Sequence, residues 1–165
     1  MQKTLMIDYK KCTGCRLCEL VCAVMHEGVS NPARSRIKIM KWETEGLYVP
    51  ITCQQCEDAP CMNVCPVKAI YRDKDTDAVM VDYNKCIGCR SCVAVCPFGA
   101  MNYNVLDRKV FKCDLCGGDP QCAKFCNENA ISYVDADQQS VSKKKDAAER
   151  FSTAQKDMQD LQSAV

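Results

Sequence analysis

Short apolar runs alternate with cysteine-bearing segments along this chain. LMIDYKKC at 5–12 and VMVDYNKC at 79–86 begin with apolar residues and end at a cysteine. Further apolar runs follow cysteines in the segments CPVKAIY, CPFGAMNY and CNENAISYV. Short apolar runs bounded by turn-forming residues are typical of strands. The pattern therefore predicts a repeated unit that consists of a strand, a cysteine-bearing loop, a turn or more of helix, and another strand.

Two more segments indicate β structure, and one departs from the repeat. IKIMKWETEGLYVPI at 37–51 predicts a β-hairpin that turns at Glu45–Gly46. VLDRKVFKC at 105–113 predicts a strand preceded by a tight turn. CAVMHEGVSNPARSR at 22–36 instead leads into a loop that contains Asn31–Pro32. These short strands and short helices together predict an α+β fold.

The end of the chain has a different pattern. After Asp135 the sequence is polar, and then apolar residues recur three and four positions apart. These residues are Phe151, Ala154, Met158, Leu161 and Val165. The spacing predicts an amphipathic helix, and an isolated helix of this length is marginal in water. We therefore expect residues 139–165 to be a linker and a helical arm that docks onto another chain, with folding back onto residues 1–138 as the alternative.

Sixteen of the 165 residues are cysteines, and they form four groups of four with none left over. Internal repetition of this kind indicates repeated structural units. In every group the fourth cysteine follows the third after three residues. The groups are Cys12, Cys15, Cys18 and Cys22 (group one); Cys53, Cys56, Cys61 and Cys65 (group two); Cys86, Cys89, Cys92 and Cys96 (group three); and Cys113, Cys116, Cys122 and Cys126 (group four).

This spacing favours iron–sulfur clusters over other uses of cysteine. A C-x2-C pair alone also occurs in zinc sites. A fourth cysteine after three residues, with a proline following Cys65 and Cys96, is instead typical of bacterial ferredoxins. The sequence therefore predicts that the sixteen thiolates bind iron in four [4Fe–4S] clusters. We expect the fourth cysteine of each group to lie on the short helix after the loop and to point toward a neighbouring cluster. Zinc, disulfides and mixed occupancy are the alternatives.

Charge and patterning exclude several classes of protein. The formal net charge is +1, and no basic stripe with interleaved aromatics is present, so we expect no nucleic-acid partner. The beginning of the chain shows no apolar signal region or twin-arginine pair, and no apolar run is long enough to cross a bilayer. We therefore expect a cytoplasmic protein without a membrane span, in a reducing compartment where metal-bound cysteines are favoured over disulfides.

The residues outside the four cysteine groups indicate structural roles and not catalysis. No paired carboxylates, nucleophile–base set or nucleotide loop is visible, which predicts a protein that is not itself an enzyme. We expect His26 to lie at a helix end or on the surface, and Trp42 to serve packing and not electron transfer. Pro97 and Phe98 are expected to shield clusters from water.

The segment 65–101 resembles the centre of a two-cluster bacterial ferredoxin. Residues 1–135 resemble the four-cluster electron-transfer subunits built from nested ferredoxin modules. Such subunits serve the dimethyl-sulfoxide-reductase superfamily, hydrogenases and carbon monoxide dehydrogenase. The chain is most similar to the small iron–sulfur subunit of tungsten aldehyde oxidoreductase-type complexes.

The resemblance implies a nested pairing of the four groups within residues 1–138. Groups two and three form an inner module at about 50–105, and groups one and four form an outer module. The implied ligand sets are Cys12, Cys15, Cys18 and Cys126 (cluster 1); Cys113, Cys116, Cys122 and Cys22 (cluster 2); Cys53, Cys56, Cys61 and Cys96 (cluster 3); and Cys86, Cys89, Cys92 and Cys65 (cluster 4). Sequential pairing of the groups is the alternative. The chain departs from the family pattern because Cys22 and Cys126 lack a following proline and group four has five residues in its long gap, between Cys116 and Cys122.

The same resemblance implies partners and an anaerobic metabolism. The chain would relay electrons between a catalytic subunit, with a tungsten or molybdenum pterin, and a flavin subunit or a ferredoxin. Further copies of the chain could join the assembly. A diffusible polyferredoxin, a subunit of a hydrogenase or carbon monoxide dehydrogenase, and a structural adaptor are the alternative functions.

Overall fold

The computed structural model describes residues 3–137, 141 and 144. Their strands are β1 (Lys3–Ile7), β2 (Lys38–Trp42), β3 (Leu47–Ile51), β4 (Ile70–Arg72), β5 (Val79–Val81), β6 (Asn102–Asn104), β7 (Lys109–Phe111) and β8 (Ile131–Asp135). Their α-helices are α1 (Leu17–Glu27), α2 (Pro60–Asn63), α3 (Ser91–Val95) and α4 (Gln121–Lys124). This mixture of short helices and short strands confirms the predicted α+β content.

The strands pair two by two in antiparallel sheets. Three sheets are hairpins of consecutive strands, namely β2–β3, β4–β5 and β6–β7. The hairpin expected at 37–51 is confirmed, with its turn at 43–46 between Trp42 and Leu47. The fourth sheet pairs β1 with β8 and places Leu5 opposite Tyr133. The two ends of residues 3–135 are therefore joined by a single ladder.

The helices begin at equivalent positions, but they end differently from our expectation. The third cysteine of each group is the second residue of a helix. We expected the fourth cysteine to lie on the same helix, and this holds only for Cys22. Helices α2, α3 and α4 end before Cys65, Cys96 and Cys126, so the expectation was wrong for those three groups.

A repeated turn explains the early ends of those three helices. The residue three positions after the fourth cysteine has a positive φ, at Lys68 (50°), Gly99 (59°) and Asn129 (50°). Each of these residues donates its backbone N–H to the carbonyl oxygen of the fourth cysteine, at 3.2, 3.2 and 3.1 Å respectively. The turn directs the chain into β4, β6 and β8. Group one has no such turn, and α1 continues to Gly28, which caps it at φ +69°.

Two small apolar clusters form the interior, and cysteines belong to both. The first contains Leu5, Ile37, Leu115 and Ile131 around buried cysteines of groups one and four. The second contains Ile70, Val79, Met101 and Val110 with Cys92 and half-buried cysteines of groups two and three. Cores this small supply little folding energy, so bound metal becomes part of the stability of such a domain.

The predicted tail helix, with Phe151, Ala154, Met158, Leu161 and Val165, lies outside the described residues. Its docking role therefore stays a prediction. Among the described residues, no helix combines the length and the apolarity needed to cross a membrane.

Candidate iron–sulfur sites

The loop between the first two cysteines has the same backbone turn in all four groups. The residue just before the second cysteine has a positive φ, at Gly14 (69°), Gln55 (50°), Gly88 (69°) and Leu115 (57°). A left-handed residue reverses the local direction of the backbone, and this region is costly for residues other than glycine. The turn allows consecutive cysteines of one group to face the same space.

Gly14 and Gly88 are required by packing as well as by φ. A Cβ on Gly14 would lie 2.6 Å from a ring carbon of Tyr48. A Cβ on Gly88 would lie 2.1 Å from the carbonyl oxygen of Arg108. Both distances are shorter than any van der Waals contact, so these loops depend on the missing side chain.

In the other two groups, side chains that the sequence analysis missed hold the same turn. Gln55 is buried; its amide nitrogen donates to the Cys113 carbonyl at 3.0 Å, and its amide oxygen accepts from the Val79 N–H at 2.8 Å. Leu115 is 1% exposed within the first apolar cluster. These contacts stabilise a conformation that costs roughly 1–2 kcal/mol for a residue with a side chain. When the four groups are aligned on their cysteines, Gln55 and Leu115 stand at the positions of Gly14 and Gly88. That alignment is the sequence signal for a left-handed residue at both positions.

Three cavities are each lined by four cysteines. In each cavity three cysteines come from one group and one comes from another group. The cavities contain Cys12, Cys15, Cys18 and Cys126; Cys53, Cys56, Cys61 and Cys96; and Cys65, Cys86, Cys89 and Cys92.

The remaining four cysteines also lie close together, where α1 packs against α4. Cys22, Cys113 and Cys122 belong to one buried cluster. Burial, and then the neighbouring thiols of Cys113, Cys22 and Cys116, raise the pKa of Cys122. The structure thus brings all sixteen predicted site residues together in four sets of four, while their role as cluster ligands stays a prediction.

The chemistry of these sets fits a cubane cluster. Burial raises the pKa of the Cys113 thiol to about 12 and that of Cys92 to about 11, because a bare thiolate is poorly solvated there. Such thiolates need a cation beside them, which a cluster iron provides. Backbone N–H groups of Arg36 and Ala69 donate to Sγ of Cys22 and Cys65 at 3.3 and 3.2 Å. N–H donors to sulfur are typical of ligated thiolates in iron–sulfur proteins.

His26 lies closer to a site than the sequence indicated. It occupies the last turn of α1, which confirms the helix-end expectation. Its Nε2 lies 3.6 Å from Sγ of Cys116 and 3.5 Å from Oδ1 of Asp114. Asp114 also forms an ion pair with Arg36. Burial lowers the pKa of His26, and the Asp114 carboxylate acts against that effect.

The structure also gives the surroundings of Trp42 and Phe98. Trp42 is 46% exposed at the end of β2, and its role in packing and not in electron transfer stays a prediction. It directly precedes the hairpin turn at 43–46. Pro97 and Phe98 line the cavity of Cys53, Cys56, Cys61 and Cys96, although Phe98 remains 49% exposed.

Comparison with known proteins agrees with this geometry. The family model of the 4Fe-4S dicluster domain matches residues 44–136, and that of a 4Fe-4S binding domain matches residues 9–24. The aliphatic sulfonate oxidoreductase, polyferredoxin-like subunit of Pyrococcus furiosus is 44% identical over 124 residues, which cover 75% of this chain and 71% of that protein. The thiosulfate reductase electron transfer subunit PhsB of Salmonella typhi is 33% identical over 153 residues, which cover 85% and 79% respectively.

Among solved structures, the chain is similar to one in the active-site complex BamBC of benzoyl coenzyme A reductase as isolated. The identity is 25%, the match covers 90% of both chains, and the TM-score is 0.49. The two family matches together span all four groups of cysteines. The sixteen cysteines fit four [4Fe–4S] clusters, and the chain belongs to the family of [4Fe–4S] ferredoxin-type electron-transfer proteins.

Proposed function

We propose that this chain is the electron-transfer subunit of a larger oxidoreductase and does not itself transform a substrate. It would relay single electrons between a catalytic subunit and a second redox protein, either a flavin subunit or a ferredoxin. When bound, a [4Fe–4S] cluster takes up and releases one electron at a potential that its surroundings set. The function of this chain would be to hold four such clusters close together and away from water.

The observation that carries the proposal is an exchange of cysteines between neighbouring cavities. Cys61 on α2 and Cys65 just after its end line different cavities, and Cys92 on α3 and Cys96 just after its end do the same. Only three residues separate the two cysteines of each pair, so the two cavities are direct neighbours. Sites this close allow an electron to pass between them without a mobile carrier.

We assign the ligand sets on the same basis. Cluster 1 takes Cys12, Cys15, Cys18 and Cys126; cluster 2 takes Cys113, Cys116, Cys122 and Cys22; cluster 3 takes Cys53, Cys56, Cys61 and Cys96; and cluster 4 takes Cys86, Cys89, Cys92 and Cys65. The four-cysteine linings of the cavities support clusters 1, 3 and 4. The β1–β8 ladder supports the nesting, because it pairs the strand before group one with the strand after group four.

For the partner we propose a tungsten or molybdenum pterin oxidoreductase of the aldehyde-oxidising type. The relatives from Pyrococcus furiosus and Salmonella typhi are named as subunits of an aliphatic sulfonate oxidoreductase and a thiosulfate reductase. The first is named a polyferredoxin-like subunit and the second an electron transfer subunit, which supports a partner that carries the catalytic site. The resemblance to small subunits of tungsten aldehyde oxidoreductase-type complexes supports the choice of metal.

The test is anaerobic purification from the native host, with metal and sulfide analysis and identification of the co-purifying chains. We expect about 16 iron atoms per chain, four per cluster, and a larger chain that carries tungsten or molybdenum. Purification of the chain alone would indicate a diffusible polyferredoxin. Clusters that the substrate of the partner cannot reduce would indicate a structural adaptor, and zinc without sulfide would refute the proposal.

Deletion of residues 140–165 tests the docking role of the tail. We expect the deleted chain to keep its iron, because every cysteine precedes residue 127. We also expect it to lose the co-purifying catalytic subunit, since the apolar seam of the arm would be gone. Replacing Ser152, Gln155 and Gln162 by alanine in the intact tail is the matched control, because these residues are outside that seam. An unchanged set of co-purifying chains after the deletion would refute docking through the tail.

A further inference from the structure

One lysine lies inside the protein next to two of the candidate sites. Lys112 directly precedes Cys113 and is 2% exposed. Its ammonium group donates to the carbonyl oxygens of Val79 and Cys113, the latter at 2.7 Å. No carboxylate in the described part of the chain forms an ion pair with it. A buried ammonium is costly unless negative charge lies nearby.

Comparison with the equivalent lysines shows why Lys112 is different. Lys11 and Lys85 also directly precede the first cysteine of a group. Both are exposed, and they pair with Asp8 and Asp82, three residues earlier, at 3.5 and 3.4 Å. In group four the residue three positions earlier is another lysine, so Lys112 has no such local partner.

The groups that face Lys112 across the cavity that it lines are cysteine thiols, which become negatively charged thiolates when they bind iron. Lys112 lines the cavity of Cys53, Cys56, Cys61 and Cys96. Burial raises the pKa of the Cys56 and Cys61 thiols, whereas the positive charge of the Lys112 ammonium lowers the pKa of both. Within this low-dielectric cavity a single positive charge has a much larger effect than one at the surface.

We propose that Lys112 raises the reduction potential of the cluster held by Cys53, Cys56, Cys61 and Cys96, and so tunes one step of the relay. The inference rests on the proposed electron-transfer function and on the ligand set assigned to that cavity. Reduction adds one electron to the site, and no bond forms or breaks. The added negative charge is stabilised by a fixed ammonium group that water does not screen. The reduced form of the cluster is therefore stabilised relative to the oxidised form, which raises the reduction potential.

The test is a redox titration of the anaerobically purified full chain, followed by electron paramagnetic resonance. In Lys112→Gln we expect the equilibrium constant for reduction of one cluster to fall about tenfold, which is ~59 mV for a one-electron couple. The affected signal should be the one that Cys56→Ser alters, because that variant changes a ligand of the same cavity. Lys112→Arg keeps the charge and should retain a midpoint close to that of the unmodified protein.

Lys11→Gln and Lys85→Gln are the matched controls, because each removes an exposed lysine at the same position before a cysteine. We expect their four midpoints to remain unchanged. The inference is overturned if Lys112→Gln shifts no midpoint potential or shifts all four equally. It is overturned as well if Lys85→Gln shifts one midpoint potential by as much as Lys112→Gln does. It is also overturned if Lys112→Gln and Lys112→Met both fail to assemble clusters while Lys112→Arg assembles them, because Lys112 would then be an assembly residue. A chain whose clusters cannot be reduced at all would instead refute the proposed function.

Discussion

At the scale of single residues, the turn before the second cysteine illustrates two ways to occupy the same backbone conformation. Gly14 and Gly88 adopt it without a side chain, and neighbouring atoms occupy the space that a Cβ would need. Gln55 and Leu115 adopt it with buried side chains that bind other segments. The conformation is common to the four loops, whereas the interactions that stabilise it differ.

Gly88→Ala tests the importance of that close approach, with Gly28→Ala as its control. Both glycines have φ +69°, but no atom lies within 4 Å of a Cβ added to Gly28. We expect Gly28→Ala to lower the free energy of unfolding by roughly 1–2 kcal/mol, the cost of the left-handed conformation alone. Gly88→Ala should lower the free energy of unfolding by clearly more than Gly28→Ala does, because the Arg108 carbonyl must move. The same movement should release iron from the site. Thermal unfolding and iron analysis measure both effects, and equal losses in the two variants would contradict this explanation.

At the scale of secondary-structure elements, a buried carboxylate fixes α1 to a hairpin. Glu19 on α1 is 1% exposed and accepts a hydrogen bond from the Ile39 N–H of β2 at 2.8 Å. It also pairs with Arg16 at the start of the helix. Because α1 carries Cys18 and Cys22, this contact sets the position of two cysteines relative to the β2–β3 hairpin.

Glu19→Ala should therefore loosen α1 from β2. We expect a loss of about 1.5–3 kcal/mol of unfolding free energy, since the buried Ile39 N–H loses a charged acceptor. Glu27→Ala is the control on the same helix, because the Glu27 side chain, which pairs with Arg34 at 3.3 Å, is 24% exposed, compared with 2% for the side chain of Glu19. That pair should contribute no more than about 1 kcal/mol. Chemical denaturation of the cluster-loaded protein measures both values, and a smaller loss for Glu19→Ala than for Glu27→Ala would refute the role of Glu19.

At the scale of the whole molecule, the four groups of cysteines are interdependent. Each of the three cavities takes three cysteines from one group and one from another, so none of these cavities is lined by a single group. The β1–β8 ladder adds a second link by joining the two ends of residues 3–135. We therefore expect the loss of one cysteine to affect a site that lies far away in the sequence.

Cys96→Ala is a direct test of this exchange. If Cys96 is a ligand of cluster 3, the variant should lose or alter the same spectroscopic signal as Cys56→Ala, 40 residues away in the sequence. Its signal should differ from the one that Cys89→Ala alters, although Cys89 belongs to the same group. Mössbauer and electron paramagnetic resonance spectra of the three variants measure this. A match between Cys96→Ala and Cys89→Ala would contradict the nested ligand sets.

The repeats made much of this fold predictable. Strands next to the cysteines and the hairpin at 37–51 follow from local apolar patterns and are confirmed. The ends of α2, α3 and α4 were misplaced, because they depend on a left-handed turn at residues as different as Lys68 and Asn129. The burial of Lys112 was also not predictable, because it follows from contacts with Val79, 33 residues earlier in the sequence.

The β1–β8 ladder also has a consequence for the order of events during biosynthesis. Lys3–Ile7 is synthesised before its pairing partner Ile131–Asp135, which is translated only after all sixteen cysteines. Until then β1 has no strand beside it, and the thiols of Cys12, Cys15 and Cys18 remain without Cys126. With the ligand sets proposed above, clusters 3 and 4 have all their cysteines once residue 96 has been translated, 30 residues before Cys126. Cofactor insertion would thus proceed from the middle of the chain outward.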